Sequence, residues 1–294
     1  MAYRYGPVVV GVDGSAQSMG ALRWAADEAS RCTRMLHVVT VLPEGASAAG
    51  AGTAARAAVE AQRWRVGVAT VAETRRGAPV DVLRELAGEA RLVVVGGRGA
   101  GPDDGRPMGS VSEALGARAD APVLIVHEAQ RWAGPDAALP HTAPVVTGFD
   151  DSDSARRALR LAFEEAARRG VRLVIVQAWP HPDLWRPGEG RCTDLSAQEN
   201  AVHNALCEAA QPWHKEFPLV EVEVRSEPGE AVHALTMASQ WAGLMVIGAR
   251  CPADRVQPGH LSVARRVLWH AACPVLIAHG PARTPAWRVA PAAA

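Results

Sequence analysis

A backbone able to wrap a phosphate chain is written at Gly96-Gly97-Arg98-Gly99, followed after nine intervening residues by Gly109-Ser110. A loop that presses its N–H groups against phosphate oxygens cannot carry β-carbons at the closest points or at positive-φ positions, which is why glycines at this spacing matter. Ser110 opens a helical pattern, where its N–H and hydroxyl can both meet an anion that the helix dipole favours. Arg98 could add positive charge, although a surface arginine is more often merely solvated. A second element, Val8-Val9-Val10-Gly11-Val12 running into Asp13-Gly14-Ser15, puts a carboxylate at the end of a strand. Asp13 suits an acceptor for sugar or base hydrogen bonds better than a general base, because no activated nucleophile pairs with it in the sequence. The chemistry is recognition of a nucleotide, with no catalytic constellation.

Other phosphate loops are excluded. A Walker-type loop needs a lysine, and Lys215 is the only one in the chain, far from any glycine loop. A dinucleotide fingerprint should follow the first strand, whereas Gly97-x-Gly99 follows a later one and meets Pro102 instead of a third glycine. Within the loop, Asp103 and Asp104 can be read as recruiting Mg²⁺ to the phosphates or as solvated turn residues, the latter preferred. Pro102 and Pro107 remove N–H donors, and Arg106 adds a further cation.

The loop occurs twice. Gly248-Ala249-Arg250-Cys251, nine residues, then Leu261-Ser262 repeats the first copy with side chains at two glycine positions. Each lost charge-assisted bond from N–H to phosphate costs roughly 1.5–3 kcal/mol, so two losses weaken binding by about 10²-fold or more. The second copy is expected to bind ATP poorly or not at all, while Asp150, Ser152, Gly248 and Ser262 leave open a smaller nucleotide or another anion.

The spacing G-x-x-G, nine residues, G-S, with a strand ending in Val-Gly-Val-Asp-Gly-Ser, resembles the universal stress protein family. The resemblance covers almost the whole chain as two tandem family domains. In nucleotide-binding members, the Asp after the first strand and the backbone after the second hold adenine and ribose, and the glycine loop with its Ser or Thr holds the phosphates. Carried over residue by residue, the resemblance implies Asp13, Val41, Gly96, Gly99, Gly109 and Ser110, with Ser15 and Val111 as neighbours, and ATP, with or without Mg²⁺, as ligand.

These residues need a frame to bring them together. Apolar runs alternate with helical patterns in the order strand at 8–12, helix at 16–31, strand at 36–41, helix at 54–64, strand at 66–73, helix at 80–90, strand at 92–95, helix at 110–119, strand at 123–127. The strands are continuously apolar, as in a parallel sheet covered on both faces. The expected fold is α/β, two tandem Rossmann-like domains of the HUP type, each an open five-stranded parallel sheet flanked by helices. The family order 3-2-1-4-5 makes the first and fourth strands neighbours, so Asp13 and Gly96 converge on the crevice at their carboxyl ends. Asp13, Ser15, Leu22 and Ala29 map onto Asp150, Ser152, Leu159 and Ala166 at one constant offset; Gly96, Ser110, Pro122 and His127 map onto Gly248, Ser262, Pro274 and His279 at a larger one. An insertion at 181–200, before a helix at 201–210, explains the change. The expected domains are 1–128 and 144–280, with a linker at 129–143 and an Ala/Pro-rich tail at 281–294. The fifth strands would expose unpaired edges, and the resemblance implies that they pair antiparallel within the chain, with a further homodimer as an extension.

Lys plus Arg and Asp plus Glu each total 31, so formal net charge is zero, which argues against an electrostatic nucleic-acid binder. No apolar stretch reaches the roughly 18 residues of a membrane span, and the N-terminus does not read as a signal peptide. Five cysteines without regular spacing fit reduced thiols; a soluble cytoplasmic protein is expected. Cys192, His203, Cys207 and His214 match no strong zinc pattern, so no metal site is assigned. Cys251 reads as a neutral substitution in preference to a redox thiol. The functional expectation is an ATP-binding stress-response regulator with nucleotide mainly in the first repeat. The alternatives are a nucleotide-independent scaffold, or a slow ATPase or autokinase using Ser110.

Overall fold

The computed structural model describes residues 6–45, 50–99, 108–127, 139–179, 195–249 and 262–279. In the first repeat β1 (Val8–Gly11), α1 (Ala16–Cys32), β2 (Leu36–Leu42), α2 (Thr53–Trp64), β3 (Thr70–Arg76), α3 (Pro79–Ala87), β4 (Leu92–Gly96), α4 (Ser110–Ala117) and β5 (Val123–Val126) follow in order. The second repeat runs β6 (Val145–Gly148), α5 (Asp153–Arg169), β7 (Leu173–Trp179), α6 (Leu195–Glu216), β8 (Val222–Pro228), α7 (Ala231–Ser239), β9 (Leu244–Gly248), α8 (Val263–His270) and β10 (Val275–Ala278). All ten strands join one sheet in the order β3-β2-β1-β4-β5-β10-β9-β6-β7-β8. Pairing is parallel within each repeat, and β5 meets β10 antiparallel with Leu124 opposite Leu276.

Alternation along each strand feeds two cores. Val8 and Val10 pack with Leu22, Ala25 and Ala29 on one face, while Val9, Val93 and Val95 pack with Leu83 and Leu115 on the other. Small residues let α1 lie close to the sheet, and its ends are fixed locally. Ser15 Oγ accepts the Ser18 N–H at 3.1 Å, and Thr33 ends the helix in the left-handed region at φ 52°. The same positions in α5 are Ser152, capping Ala155 N–H, and Gly170 at φ 63°. A left-handed C-terminal residue is ordinarily glycine, so Thr33 carries strain that Gly170 avoids.

Two expected boundaries shift. The strand foreseen at 66–73 begins at Thr70 and runs to Arg76, because Gly67 turns the chain at φ 91° and Val66 is 93% exposed. β3 is an edge strand, and its Glu73, Arg75 and Arg76 mask its strand character. The helix foreseen at 201–210 extends to Leu195–Glu216 and passes through Pro212, held by the buried stripe Leu206, Ala210 and Trp213.

Between α1 and α5 lies a buried charge network. Arg169 donates to Glu165 on its own helix and to Glu28 across the boundary between repeats, and Arg168 also pairs with Glu165. Both carboxylates are almost fully buried. On α1, Asp27 pairs with Arg31 at 2.7 Å and also with Arg65. Burial alone would raise the Asp27 pKa, but the hydrogen bonds from these two guanidinium groups outweigh it and hold the carboxyl below its ordinary range.

Candidate functional site

The register of the first repeat sets the level of every candidate. Gly11 pairs with Val39 and Val10 with Val94, so Asp13, Val41 and Gly96 all stand at the carboxyl edge of the sheet. Asp13 is exposed there. Its Oδ1 accepts from the Ser15 N–H at 3.0 Å and from Ser15 Oγ at 2.6 Å, a tight turn made possible by Gly14 at φ 85°. A β-carbon placed on Gly99 would lie only 2.6 Å from Asp13 Oδ2. Two motifs more than 80 residues apart are therefore neighbours.

The two ends of the glycine loop are stapled together. Gly109 N–H donates to Gly97 O and Gly97 N–H to Val126 O, both at 2.9 Å. A β-carbon on Gly109 would meet Arg98 Cα at 3.4 Å, an ordinary contact. Ser110 is the first residue of α4 and is exposed; the cap position belongs to Gly109, without a side-chain bond. The Ser110 hydroxyl is thus not used to cap its own helix. Val111 is half-buried and packs on the core, as does Val41, whereas Arg98 is half-buried beside Gly99.

Gly96 has a second reason to be glycine. Its β-carbon would stand 3.0 Å from Gln17 O and 3.1 Å from Arg98 O, so the strand end passes tightly under the first turn of α1. Gly248, its counterpart, is more tightly placed still: a β-carbon there would stand 2.2 Å from Ser154 O. These two glycines serve the crossing of strand and helix whatever else they touch.

Two residues have surroundings that residue type alone does not reveal. Ser112 is buried and its Oγ donates to Gly96 O at 2.6 Å, pinning α4 to β4. His127 follows β5, with Nδ1 3.5 Å from where a Gly97 β-carbon would be. Burial pushes its pKa down to about 4, and its Nε2 has no hydrogen-bond partner among the described residues. His279 is alike in the second repeat, also pushed down to about 4, first by burial and then by the Arg157 charge. The repeated Pro-Val-Leu-Ile-x-His ending was the signal that could have flagged the pair.

In the second repeat Asp150 Oδ1 likewise accepts from the Ser152 N–H at 3.2 Å and Ser152 Oγ at 2.5 Å. Asp151 takes the place of Gly14 at φ 62°, held by Arg156. Unlike Ser110, Ser262 caps its helix, accepting from the Arg265 N–H at 3.3 Å. Arg157 reaches Ala249 O at 3.2 Å from the position that is Gly20 in the first repeat.

Pro102, Asp103, Asp104, Arg106 and Pro107, and Arg250, Cys251 and Leu261 in the second copy, lie outside the described residues, as does Cys192. His203, Cys207 and His214 are exposed on α6, and among the described residues no group of three His, Cys, Asp or Glu side chains is disposed to hold a metal. Among those residues no helix is long and apolar enough to cross a membrane.

A model of the universal stress protein family matches the chain twice, at residues 4–127 and 142–279. The chain belongs to the universal stress protein family. Universal stress protein Rv2623 of Mycobacterium tuberculosis is 32% identical to it, with 92% of this chain and 95% of that protein covered. A universal stress protein structure from Archaeoglobus fulgidus has the same fold, with a TM-score of 0.64 at 18% identity, covering 96% of this chain and 99% of the other. A shorter universal stress protein solved in complex with cAMP covers 47% of this chain at 26% identity and a TM-score of 0.36. The family carries two Rossmann-like domains here, each with its own glycine loop or the remnant of one.

Proposed function

We propose that this tandem universal stress protein binds adenine nucleotide, with ATP as the ligand, in the crevice at the carboxyl ends of β1 and β4, and acts as a stress-response regulator. The observation that carries the reading is the nearness of Asp13 to Gly99, whose β-carbon, were there one, would stand 2.6 Å from Asp13 Oδ2. That nearness supports the reading, because it brings a carboxylate beside the glycine loop at a crevice of the kind where open α/β sheets take ligands. Asp13 and the backbone at Val41 hold adenine and ribose. Gly96, Gly99, Gly109 and Ser110 face the phosphates, with Arg98, Ser15 and Val111 flanking them. The N-termini of α1 and α4 favour the anion.

The working unit comprises the domains at 1–128 and 144–280, joined through β5 and β10 and able to associate further as a homodimer in the cytoplasm. Titration calorimetry of the full chain with ATP tests the site. About one equivalent should bind, and the Gly109→Leu variant, which copies the second-repeat lesion into the first, should lose it. Absence of binding by the intact chain, or unchanged binding by the variant, overturns the assignment.

A further inference from the structure

We propose that two copies of this chain associate through the free sheet edge of the second repeat, β8 pairing antiparallel with β8 of the other copy and Met237 and Trp241 flanking the join. The inference rests on the reading of the chain as a homodimer and names its surface; it does not depend on the nucleotide assigned to the first repeat.

The sheet has two open ends, β3 and β8, and an edge strand offers unpaired N–H and C=O groups to another strand. Along β8, Val222 and Val224 pack on the core that holds Leu206, Ala210 and Trp213 of α6. By alternation Glu223, Arg225 and Glu227 stand on the opposite face, the one that carries α7. α7 packs on β6 and β7, and Glu223 and Arg225 are left partly exposed. Arg225 Nε donates to Glu223 Oε1 at 2.6 Å, and its guanidinium lies over the Trp241 ring, 4.7 Å from the centroid. Trp241, just past the end of α7, is 36% exposed, and Met237 on α7 is 48% exposed.

The first repeat shows which end is suited to a partner. At the offset that maps Gly96 onto Gly248, Met237 and Trp241 correspond to Glu85 and Glu89. Both glutamates are exposed, and Glu85 pairs with Arg75 at 3.0 Å. Pairing through β3 would gather these carboxylates from two copies, and like charges repel. At the same place the second repeat sets Met and Trp beside Arg, the side chains enriched where protein surfaces meet.

Charge on an edge strand ordinarily keeps other strands away. In β8 the sign alternates from Glu223 to Arg225 to Glu227, which makes the strand complementary to itself. An antiparallel pair centred on Val224 places Glu223 of each copy opposite Arg225 of the other, on one face, and Val222 opposite Ser226. Centring on Arg225 would set arginine against arginine and Glu223 against Glu227. Centring on Ser226 would draw in Pro228, which has no N–H for a ladder. The twofold axis of the Val224 register stands perpendicular to the sheet, so both α7 helices border the join on the same face. The chain uses this arrangement once within itself: β5 meets β10 antiparallel, and over that seam Arg265 of α8 pairs with Glu113 of α4.

Sedimentation velocity of the full-length chain should give twice the mass of one chain. Met237→Glu and Trp241→Glu, which install the residue type of the first repeat, should each raise the dimer Kd by about 10-fold or more. Arg225→Glu should do the same, and adding Glu223→Arg should restore much of the loss. Arg75→Glu, on the opposite edge, should leave the dimer unchanged. All these positions are at least partly exposed, and circular dichroism with thermal unfolding checks that each variant folds. A monomeric wild type would overturn the homodimer reading and this surface together. A dimer unmoved by Trp241→Glu and Arg225→Glu would overturn this surface alone and leave the homodimer reading standing. Failure of the exchanged pair to restore association would overturn the pairing of β8 with itself.

Discussion

A methyl group at Gly99 separates a ligand role from a packing role more cleanly than any other single change. In Gly99→Ala the new carbon would fall 2.6 Å from Asp13 Oδ2, closer than any real contact of that kind, so the carboxylate has to swing away. Doing so disturbs its two bonds to Ser15, each a charge-assisted interaction of roughly 1.5–3 kcal/mol. Both Asp13 and Gly99 are exposed and Gly99 has no positive φ; water therefore replaces part of what is lost, and fold stability should fall by less than about 1 kcal/mol. Bound nucleotide has no such replacement. Displacing the acceptor should weaken ATP by about 10- to 100-fold, about 1.4–2.8 kcal/mol. Gly96→Ala should behave in the opposite way. Its methyl group meets the backbone carbonyls of Gln17 and Arg98 at 3.0 and 3.1 Å, which cannot rotate aside, so about 1–3 kcal/mol of stability should be lost. Gly109→Ala, with its nearest contact at 3.4 Å, should be nearly neutral in stability. ATP titration paired with thermal unfolding of the three variants reads this out. Wild-type affinity in Gly99→Ala, or a Gly96→Ala protein as stable as the parent, would refute the reasoning.

Three further outcomes follow from the framework. Thr33→Gly should stabilise the chain by about 1 kcal/mol, since it installs at the end of α1 the residue that Gly170 supplies for α5; an unchanged or lower unfolding midpoint in urea would count against the strain argued for Thr33. His127 and His279, each held neutral with a pKa of about 4 against an ordinary 6.5, refuse protons that the unfolded chain accepts. Stability should therefore decline as pH falls from about 6.5 towards 4, and urea titrations of a His127→Leu, His279→Leu double variant should show a flatter acid limb. Arg169→Met leaves Glu28 and Glu165 buried with less compensation and should cost about 3–5 kcal/mol. Adding Glu28→Gln should restore part of that loss in denaturant melts, and a single variant as stable as the parent would show that the network contributes little.

The site was legible where chemistry is local. Asp13-Gly14-Ser15 and Gly109-Ser110 announce a turn and a helix start from residue type alone, and the near-copy at 248–262 gave the duplication. The apolar runs at 8–12 and 92–95 gave the parallel sheet because strands buried on both faces have no polar alternation. What stayed hidden depends on long-range packing. Nothing in the sequence distinguishes Gly96, squeezed beneath the Gln17 carbonyl, from Gly99, set beside a carboxylate, since both are glycines of one motif. β3 was misplaced because an edge strand tolerates Glu73 and Arg75, which no hydrophobic pattern recognises. The surroundings of Ser112 and His127 are hidden because the partner of one and the burial of the other arise only when α4 and β5 are docked.

The guanidinium of Arg169 sits between two carboxylates, Glu28 from one repeat and Glu165 from the other. The position in the first repeat that corresponds to Arg169 is Cys32, at the offset that maps Asp13 onto Asp150. Two first repeats meeting in this arrangement would bring Glu28 against Glu28 with a thiol where the shared cation belongs, while two second repeats would bring two arginines to two glutamates. One half of the chain therefore discriminates against its own twin and in favour of its tethered neighbour. Covalent linkage releases each half from the requirement of self-complementarity at this seam.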